Sequence, residues 1–123
     1  MTSSYLFLNK SAQIFSDKKG FNILALDVRG LSSITDYLLI VEGVVARHVM
    51  AMARTQIQEV KPIRIEGLKT GDWVVLDYSE VMIHIFMPGM RDKYQLERLW
   101  PESKLVELDI DYSTAVGDGA KFS

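Results

Sequence analysis

Cysteine is absent from the 123 residues of the chain. Its absence excludes a disulfide framework, a thiolate nucleophile and a metal site built on cysteine. The longest apolar run, residues 37–41, is far shorter than the about 20 residues that a membrane-spanning helix needs. The first residues also lack the basic stretch and apolar core of a signal peptide. We therefore expect a cytoplasmic protein that has no contact with a membrane.

An excess of positive charge is also lacking, because 14 Lys and Arg stand against 16 Asp and Glu and the formal net charge is −2. Lys18 and Lys19 are the only adjacent pair of Lys or Arg residues. Proteins that bind nucleic acid through its phosphates usually carry a basic excess or a basic stripe. The composition therefore does not favour a protein that acts mainly on nucleic acid.

The spacing of apolar residues divides the chain into short helices and strands in the order α-β-β-α-β-β-β-α, with one more strand near the end. The predicted elements are 4–18, 21–28, 37–42, 46–60, 64–66, 73–78, 81–86, 90–100 and 104–110. This order predicts one α/β domain over residues 1–112, of the α+β type, in which helices pack on a mixed β-sheet. The small and polar residues 113–123 are predicted to form a flexible tail.

Apolar patterns also predict the core of this domain. The first helix carries an apolar face of Tyr5, Leu8, Ala12 and Phe15. The second helix carries a stripe of Ala46, Val49, Met50, Ala53, Ile57 and Val60. The unbroken apolar run from Leu38 to Val41 predicts a strand that is buried on both faces. Strands 73–78 and 81–86, joined by Ser79 and Glu80, are typical of a β-hairpin.

Three stretches of the sequence resemble the Iojap/RsfS family of ribosome-silencing factors. Residues 25–53 contain ALDVRGLSSITDYLLIVEG followed by ARHVMAMA, residues 66–86 read EGLKTGDWVVLDYSEVMIHIF, and residues 91–100 read RDKYQLERLW. The resemblance covers roughly residues 4 to 101. It implies a core like that of a nucleotidyltransferase without the catalytic apparatus. It also implies binding to the large ribosomal subunit, through a ribosomal protein on the intersubunit face, which blocks joining of the small subunit and represses translation. A mildly acidic chain is electrostatically suited to a basic ribosomal protein.

The resemblance also implies which residues face the ribosome. In the family pattern, the tryptophan that opens the hairpin, the hairpin itself and the following helix form the partner surface. Carried onto this chain, that surface comprises Trp73, His84, Tyr94, Glu97 and Leu99, with Arg91 at its rim. Trp73 follows a loop at the start of a strand, and a tryptophan in that position is often only partly covered.

The helix predicted over residues 90–100 has two apolar arcs. Leu96, Leu99 and Trp100 share one arc, and Met90 and Tyr94 share the other. A helix that covers a sheet needs only one apolar arc, so that the arc of Met90 and Tyr94 is either a rim of the core or a docking surface. An exposed apolar patch of this kind is also masked in the free protein if the chain forms a homodimer.

The second helix begins with an unusual pair of residues. Arg47 and His48 place positive charge at the positive end of the helix dipole, and Val44 and Val45 precede the helix where a Ser or Thr would cap it. Arg47 and His48 are candidates either for a contact with ribosomal RNA or the rim of the partner, or for an ordinary solvated face.

An enzymatic alternative is a minimal, metal-dependent nucleotidyltransferase. It requires clustered carboxylates around Mg²⁺, for which Asp36 with Asp27 or Asp77 is the available set. The other interpretation of the loop that ends at Asp36 is that its polar side chains, those of Ser32, Ser33, Thr35 and Asp36, bind loop backbone groups. The two histidines lack a third ligand at a known spacing. We expect a protein without catalytic residues, metal or cofactor.

Overall fold

The computed structural model describes residues 2–90 and 98–112. Its helices are α1 (Thr2–Asp17) and α2 (Ala46–Glu59). Its strands are β1 (Phe21–Asp27), β2 (Tyr37–Glu42), β3 (Arg64–Glu66), β4 (Trp73–Asp77), β5 (Val81–Phe86) and β6 (Lys104–Val106). These bounds confirm the predicted order up to β5. Residues 88–90 begin a helical turn, but most of the helix predicted over 90–100 and the whole tail at 113–123 lie outside the described residues.

The six strands form one mixed sheet in the order β3-β4-β5-β2-β1-β6. Only β2 and β5 pair in parallel, and the other neighbours are antiparallel. β4 and β5 form the predicted hairpin, with Trp73 opposite Phe86 and Asp77 opposite Met82. A mixed sheet with helices packed on it confirms the predicted fold class; the likeness of the core to a nucleotidyltransferase stays a prediction.

Both helices pack on one face of this sheet, which we call the helix face. Leu8, Ala12 and Phe15 of α1 are fully buried there, as predicted. The prediction that Tyr5 belongs to the core was wrong, since this residue is 44% exposed. In α2 the predicted stripe is displaced toward Met52 and Gln56, which are fully buried, whereas Val60 follows the last helical turn and is exposed.

The opposite face of the sheet carries a second apolar cluster and is called the open face here. Its buried members are Leu26, Val28, Leu38, Ile40 and Phe86. Because β2 lies at the centre of the sheet, its residues contribute to both clusters, with Leu39 and Val41 on the helix face. The predicted burial of β2 on both faces is confirmed. Among the described residues, no helix is both long and apolar enough to cross a membrane.

A buried polar contact ties the two helices to the sheet. The side-chain amide of Gln56 donates to Ser11 Oγ at 3.0 Å and lies 3.4 Å from the Tyr78 hydroxyl. That hydroxyl donates to the carbonyl oxygen of Val60 at 2.7 Å. Burial raises the pKa of Tyr78, so that the hydroxyl remains a hydrogen-bond donor at neutral pH.

The last described segment crosses from the sheet to α1. Residues 104–106 pair with β1, but the strand predicted to reach Ile110 ends at Val106. Beyond it, the side chains of α1 bind the backbone instead: Asn9 accepts from the N–H of Asp109, and Gln13 both accepts from and donates to the backbone of Asp111. These side-chain amides replace a strand partner, which explains the shorter strand.

Candidate functional site

Trp73 lies on the open face, at the start of β4, after a tight turn. Gly67 and Gly71 adopt φ values of +81° and +73°, which favour glycine. The Gly71 N–H donates to the Gly67 carbonyl oxygen at 3.0 Å, and Gly67 packs directly against the Trp73 carbonyl group. The turn therefore determines where the strand begins and where the indole ring lies. The ring is half-buried, as the sequence predicted.

An aromatic cluster surrounds the indole ring of Trp73. Its Nε1 donates to Nδ1 of His84 at 3.0 Å. The ring stacks on Phe86, with the ring centroids 5.3 Å apart and an interplanar angle of 1°. Trp73 and Phe86 are directly opposite each other in the hairpin, and His84 is two residues before Phe86 on the same face. We call Trp73, His84 and Phe86 the aromatic triplet.

His84 is neutral in this cluster. Burial lowers the pKa of His84 to about 4. Because Nδ1 accepts the hydrogen bond of Trp73, the ring proton of the neutral form lies on Nε2. The triplet therefore has a single hydrogen-bonding pattern at neutral pH, without a charge on the imidazole ring. Met82, His84 and Phe86 alternate along β5 and lie on the same face of the sheet.

The described residues after β5 border the triplet. Met90 and Trp100 are half-buried and pack against the open-face cluster. For Met90 this packing agrees with the first of the two alternatives, a rim of the core. Leu99, which was assigned to the covering arc with Trp100, is 61% exposed, and residues 98–100 are not α-helical. Arg91, Tyr94 and Glu97 lie outside the described residues.

A family model described as "Ribosomal silencing factor during starvation" matches residues 2–121 of the chain. The chain belongs to this family. Its similarity to the ribosomal silencing factor RsfS of Haemophilus influenzae is 44% identity over 87 residues, which cover 67% of this chain and 85% of that protein. The corresponding factor of Bacillus subtilis is 36% identical over 107 residues, covering 83% of this chain and 91% of that protein.

The fold of this silencing-factor family is also found among solved structures. A crystal structure of a protein from Chromobacterium violaceum is similar with a TM-score of 0.72 at 27% identity, covering 88% of this chain and 94% of that one. The relatives carry the name of a regulatory factor rather than of an enzyme. The resemblance seen in the three sequence stretches is thus confirmed for the family.

Asp27 and Asp77, two of the three carboxylates considered for an enzymatic silencing factor, do not converge. Asp27 on β1 pairs with Tyr37 and points to the helix face, whereas Asp77 on β4 pairs with Met82 and points to the open face. β2 and β5 separate their strands, so that they are about 14 Å apart. Asp27 forms an ion pair with Arg29 at 2.7 Å, and Asp77 forms one with Arg64 at 3.1 Å.

The ion pair also determines the titration of Asp27. Its side-chain hydrogen bond with Arg29 lowers the pKa of Asp27. Within residues 2–90 and 98–112, no group of three or more His, Cys, Asp or Glu side chains is placed to hold a metal ion. One Mg²⁺ cannot bind both Asp27 and Asp77, because its ligands must lie within about 2.1 Å of the ion and these two residues lie on strands about 14 Å apart, on opposite faces of the sheet.

The loop before β2 uses its polar side chains for its own backbone. Ser32 Oγ accepts from the N–H groups of Ile34 and Thr35 at 3.1 and 3.4 Å. Thr35 Oγ1 lies 2.9 Å from the carbonyl oxygen of Glu80 and 3.2 Å from that of Tyr37. The structural interpretation of Ser32 and Thr35 is therefore confirmed. The side chain of Asp36 is exposed at the end of this loop.

Arg47 and His48 lie on α2, across the sheet from the aromatic triplet, so that they do not join this site. His48 Nδ1 accepts from the Val44 N–H at 3.0 Å, and His48 Nε2 donates to the Lys18 carbonyl oxygen at 2.7 Å. The imidazole thus links the residue before the N-cap Val45, which offers no side-chain hydrogen bond, to the residue after α1. Both ring nitrogens of His48 are bonded within the chain, whereas Arg47 is exposed. A contact of these two residues with RNA stays a prediction.

Replacement of His48 tests its structural role. We expect His48→Ala to lower the free energy of unfolding by about 1 kcal/mol, the usual net contribution of a hydrogen bond, because the Val44 N–H and the Lys18 carbonyl both lose their partner. Urea denaturation measures this change. The control Arg47→Ala, one residue earlier and exposed, should shift stability by less than about 0.5 kcal/mol. Equal losses in the two variants would contradict this structural role.

The sequence did not identify Phe86 and Trp100 as residues of the site. The alternation of β5 carries the signal for Phe86, because it places that ring on the same face as His84. The sequence placed Trp100 on one apolar arc with Leu96 and Leu99, and its packing on the open-face cluster agrees with a residue that covers the sheet. The hydrogen bond between Trp73 and His84 has no sequence signal, since it depends on the register of the hairpin.

Proposed function

We propose that this silencing factor binds the large ribosomal subunit through a ribosomal protein on the intersubunit face. Its bulk then excludes the small subunit, and translation is repressed in the cytoplasm. The observation that carries the proposal is the half-buried ring of Trp73, which the buried side chains of His84 and Phe86 hold in place on the open face. Met90 and Leu99, and from the family pattern Arg91, Tyr94 and Glu97, are the proposed neighbouring contacts.

The indole ring of Trp73 is suited to anchor a partner. Its stack on Phe86 and its bond to His84 hold one orientation before binding. A side chain that is already held in place loses little conformational entropy when a partner covers it. Tryptophan residues in such positions are frequent hot spots of protein interfaces.

Charge and polarity favour a protein partner over bare RNA. The net charge of −2 provides no general attraction for phosphates, and the neutral His84 adds no positive charge to the site. A basic ribosomal protein would meet a mildly acidic molecule with a partly exposed indole ring on its surface.

The proposed mechanism requires no chemical step. An interface of about 800 Å² on each partner is enough for stable binding, and occupation of the joining surface excludes the small subunit. The separation of Asp27 and Asp77 favours such a steric mechanism over metal-dependent catalysis with these two residues. Arg47 remains a proposed contact with RNA, at a place distant from the triplet.

A charge placed at Leu99 tests the position of the docking surface. We expect Leu99→Asp to weaken co-sedimentation with large subunits at least about tenfold, because an apolar contact is lost and a carboxylate must be desolvated. The free protein should keep its stability, since Leu99 is 61% exposed.

Leu6→Asp is the matched control for that substitution. Leu6 is 64% exposed on α1, which packs on the helix face, so that the same change of charge and similar exposure are placed on the other side of the sheet. We expect Leu6→Asp to leave the co-sedimentation unchanged. If both variants bind as wild type does, or both lose binding equally, the docking surface does not include Leu99.

A further inference from the structure

The edge of the sheet at β3 is open to further pairing. Among the described strands, β3 pairs only with β4, and all three of its residues are exposed. An edge strand presents backbone N–H and C=O groups to which an extended segment of another protein can pair. In such complexes the main-chain hydrogen bonds supply affinity, and the surface beside the strand supplies specificity.

A groove on the helix face lies beside this edge, and we call it the β3 groove. Ile65 points to the helix face together with its partner Leu76. It lines the groove with Met50 of α2 and Leu68 of the turn after β3. Leu68 packs against the core, Met50 is half-buried and Ile65 is 40% exposed. The groove therefore offers a partly exposed apolar lining to a side chain of an added strand.

Close packing between α2 and the turn after β3 holds the groove in shape. A Cβ atom at Gly71 would lie 2.8 Å from the Ala46 carbonyl oxygen and 2.8 Å from side-chain atoms of Met50. The turn is also closed by the hydrogen bond between Gly71 and Gly67. Because these contacts are made within the free chain, the groove exists before a partner binds. A preformed site loses little conformational entropy on binding.

Among the described residues, two charged side chains line the groove and both are cations. They are Arg54 of α2 and Lys69 of the turn, which are exposed and form no ion pair with any residue that the structure describes. The charged residues of β3 itself, Arg64 and Glu66, point to the open face, where Arg64 bonds Asp77. The groove is therefore locally basic in a chain whose net charge is −2.

We propose that the β3 edge and its groove bind an extended, acidic segment of another protein, which pairs with β3 as an additional strand. Side chains alternate between the two faces of a strand, and residues two positions apart on one face are about 7 Å apart. An apolar side chain next to Ile65 enters the groove. Carboxylates two positions before and after it lie on the same face as Arg54 and Lys69, whose charge they complement.

Nucleic acid fits this surface less well than an acidic protein segment. Phosphates would complement Arg54 and Lys69, but they would leave the apolar lining and the backbone groups of β3 without a partner. The β3 groove lies on the helix face, whereas the aromatic triplet lies on the open face. A partner at the groove therefore leaves the triplet accessible, and this second binding surface goes beyond the proposed function.

A short synthetic peptide tests the pairing directly. In acetyl-TETVTET-amide the two glutamates share one face with the valine, and the pattern reads the same in both directions, so that it suits a parallel or an antiparallel strand. In an NMR titration at low salt, up to several millimolar peptide, we expect the amide signals of Arg64, Ile65 and Glu66 to shift and their hydrogen exchange to slow. The control acetyl-TTEVETT-amide has the same composition but carries its glutamates on the face opposite the valine. It should bind about fivefold more weakly, the effect of losing two exposed ion pairs.

Removal of the two cations tests the charge of the groove. We expect the double variant Arg54→Gln/Lys69→Gln to bind acetyl-TETVTET-amide about fivefold more weakly than wild type does. The control Lys10→Gln/Lys104→Gln makes the same change in net charge at two exposed lysines, one on α1 and one at the opposite edge of the sheet. It should bind as wild type does. Thermal unfolding of both variants checks that they are folded.

Four results would overturn the proposal. The first is the absence of any shift of the β3 amides at several millimolar peptide, and the second is equal binding of the two peptides or of the two double variants. The third is a shift of the signals around Trp73 in place of those of β3. The fourth is tighter binding of a short single-stranded RNA at the same site, which would make the groove an RNA contact. No ribosome is present in these experiments, so that their outcome is independent of the proposed function.

Discussion

Acidification from about pH 7.5 to about pH 4 is expected to lower the free energy of unfolding by about 3 kcal/mol through His84 alone. Burial lowers the pKa of His84 from 6.5 to about 4 in the folded protein. In the unfolded chain the ring takes up its proton as the pH falls through about 6.5, whereas the folded protein excludes it until about pH 4. Each pH unit in that window therefore costs up to about 1.4 kcal/mol.

A matched variant isolates the contribution of His84. His84→Asn keeps an acceptor for the Trp73 indole N–H but removes the titrating group. We expect its stability to change about 3 kcal/mol less than that of wild type over the same pH range. Urea denaturation at several pH values measures both slopes. Asp27, whose pKa is lowered by Arg29, contributes equally in the two proteins and cancels. Parallel curves for wild type and variant would show that His84 is not buried as described.

Gly67→Ala is expected to destabilise the protein by about 4 kcal/mol, near the upper end for a single substitution. A Cβ atom at this position would lie 2.0 Å from the Trp73 carbonyl oxygen, and the backbone φ of +81° is unfavourable for alanine. The backbone fixes the position of the Cβ atom, and the Trp73 oxygen is itself a backbone atom, so that no side-chain rotation relieves the clash. The turn before β4 must shift, and the indole ring shifts with it.

Gly30→Ala separates the two causes of that loss. Gly30 has a φ of +80°, almost the same as that of Gly67, but no atom lies within 4 Å of the position of an added Cβ. Only the conformational cost of about 1–2 kcal/mol remains there. Thermal or urea denaturation of both variants gives the difference. If Gly30→Ala is as destabilising as Gly67→Ala, the packing of Gly67 against Trp73 contributes nothing.

Periodicity was sufficient to predict most of the sheet. The alternation of β5 and the unbroken apolar run of β2 identified the two central strands, and their burial follows from the hydrophobic effect acting on a two-residue repeat. The same reasoning placed His84 and Phe86 on one face. Local spacing also located α1 and α2 within a few residues of their observed ends.

The candidate site was predictable only in part, because its contacts depend on register and on where the chain turns. The sequence singled out Trp73 and His84 individually, but the bond between them requires the hairpin register that sets Trp73 opposite Phe86. Leu99 was assigned to the covering arc on the assumption of a regular helix with 100° per residue. Since residues 98–100 leave that geometry, Leu99 is exposed instead.

The prediction of a catalytic carboxylate site was limited in the same way, because it depends on how the strands pair and on which face each residue lies. Asp27 and Asp77 are each last residues of strands in the structure, and nothing local shows which face each one takes. Leu26 points to the open face and Leu76 to the helix face, so that the two carboxylates point in opposite directions. The hydrogen bond of His48 was missed for a related reason, because its partner, the carbonyl oxygen of Lys18, is 30 residues away in sequence.

Competition between the chain and the small ribosomal subunit tests the central proposal most directly. Purified large subunits are incubated with the protein at low salt, small subunits are added, and the products are separated by sedimentation. Steric exclusion predicts that the protein sediments with the large subunit and that the amount of joined ribosomes falls as its concentration rises. A protein that remains unbound, or that binds while the subunits join to the normal extent, would contradict the account.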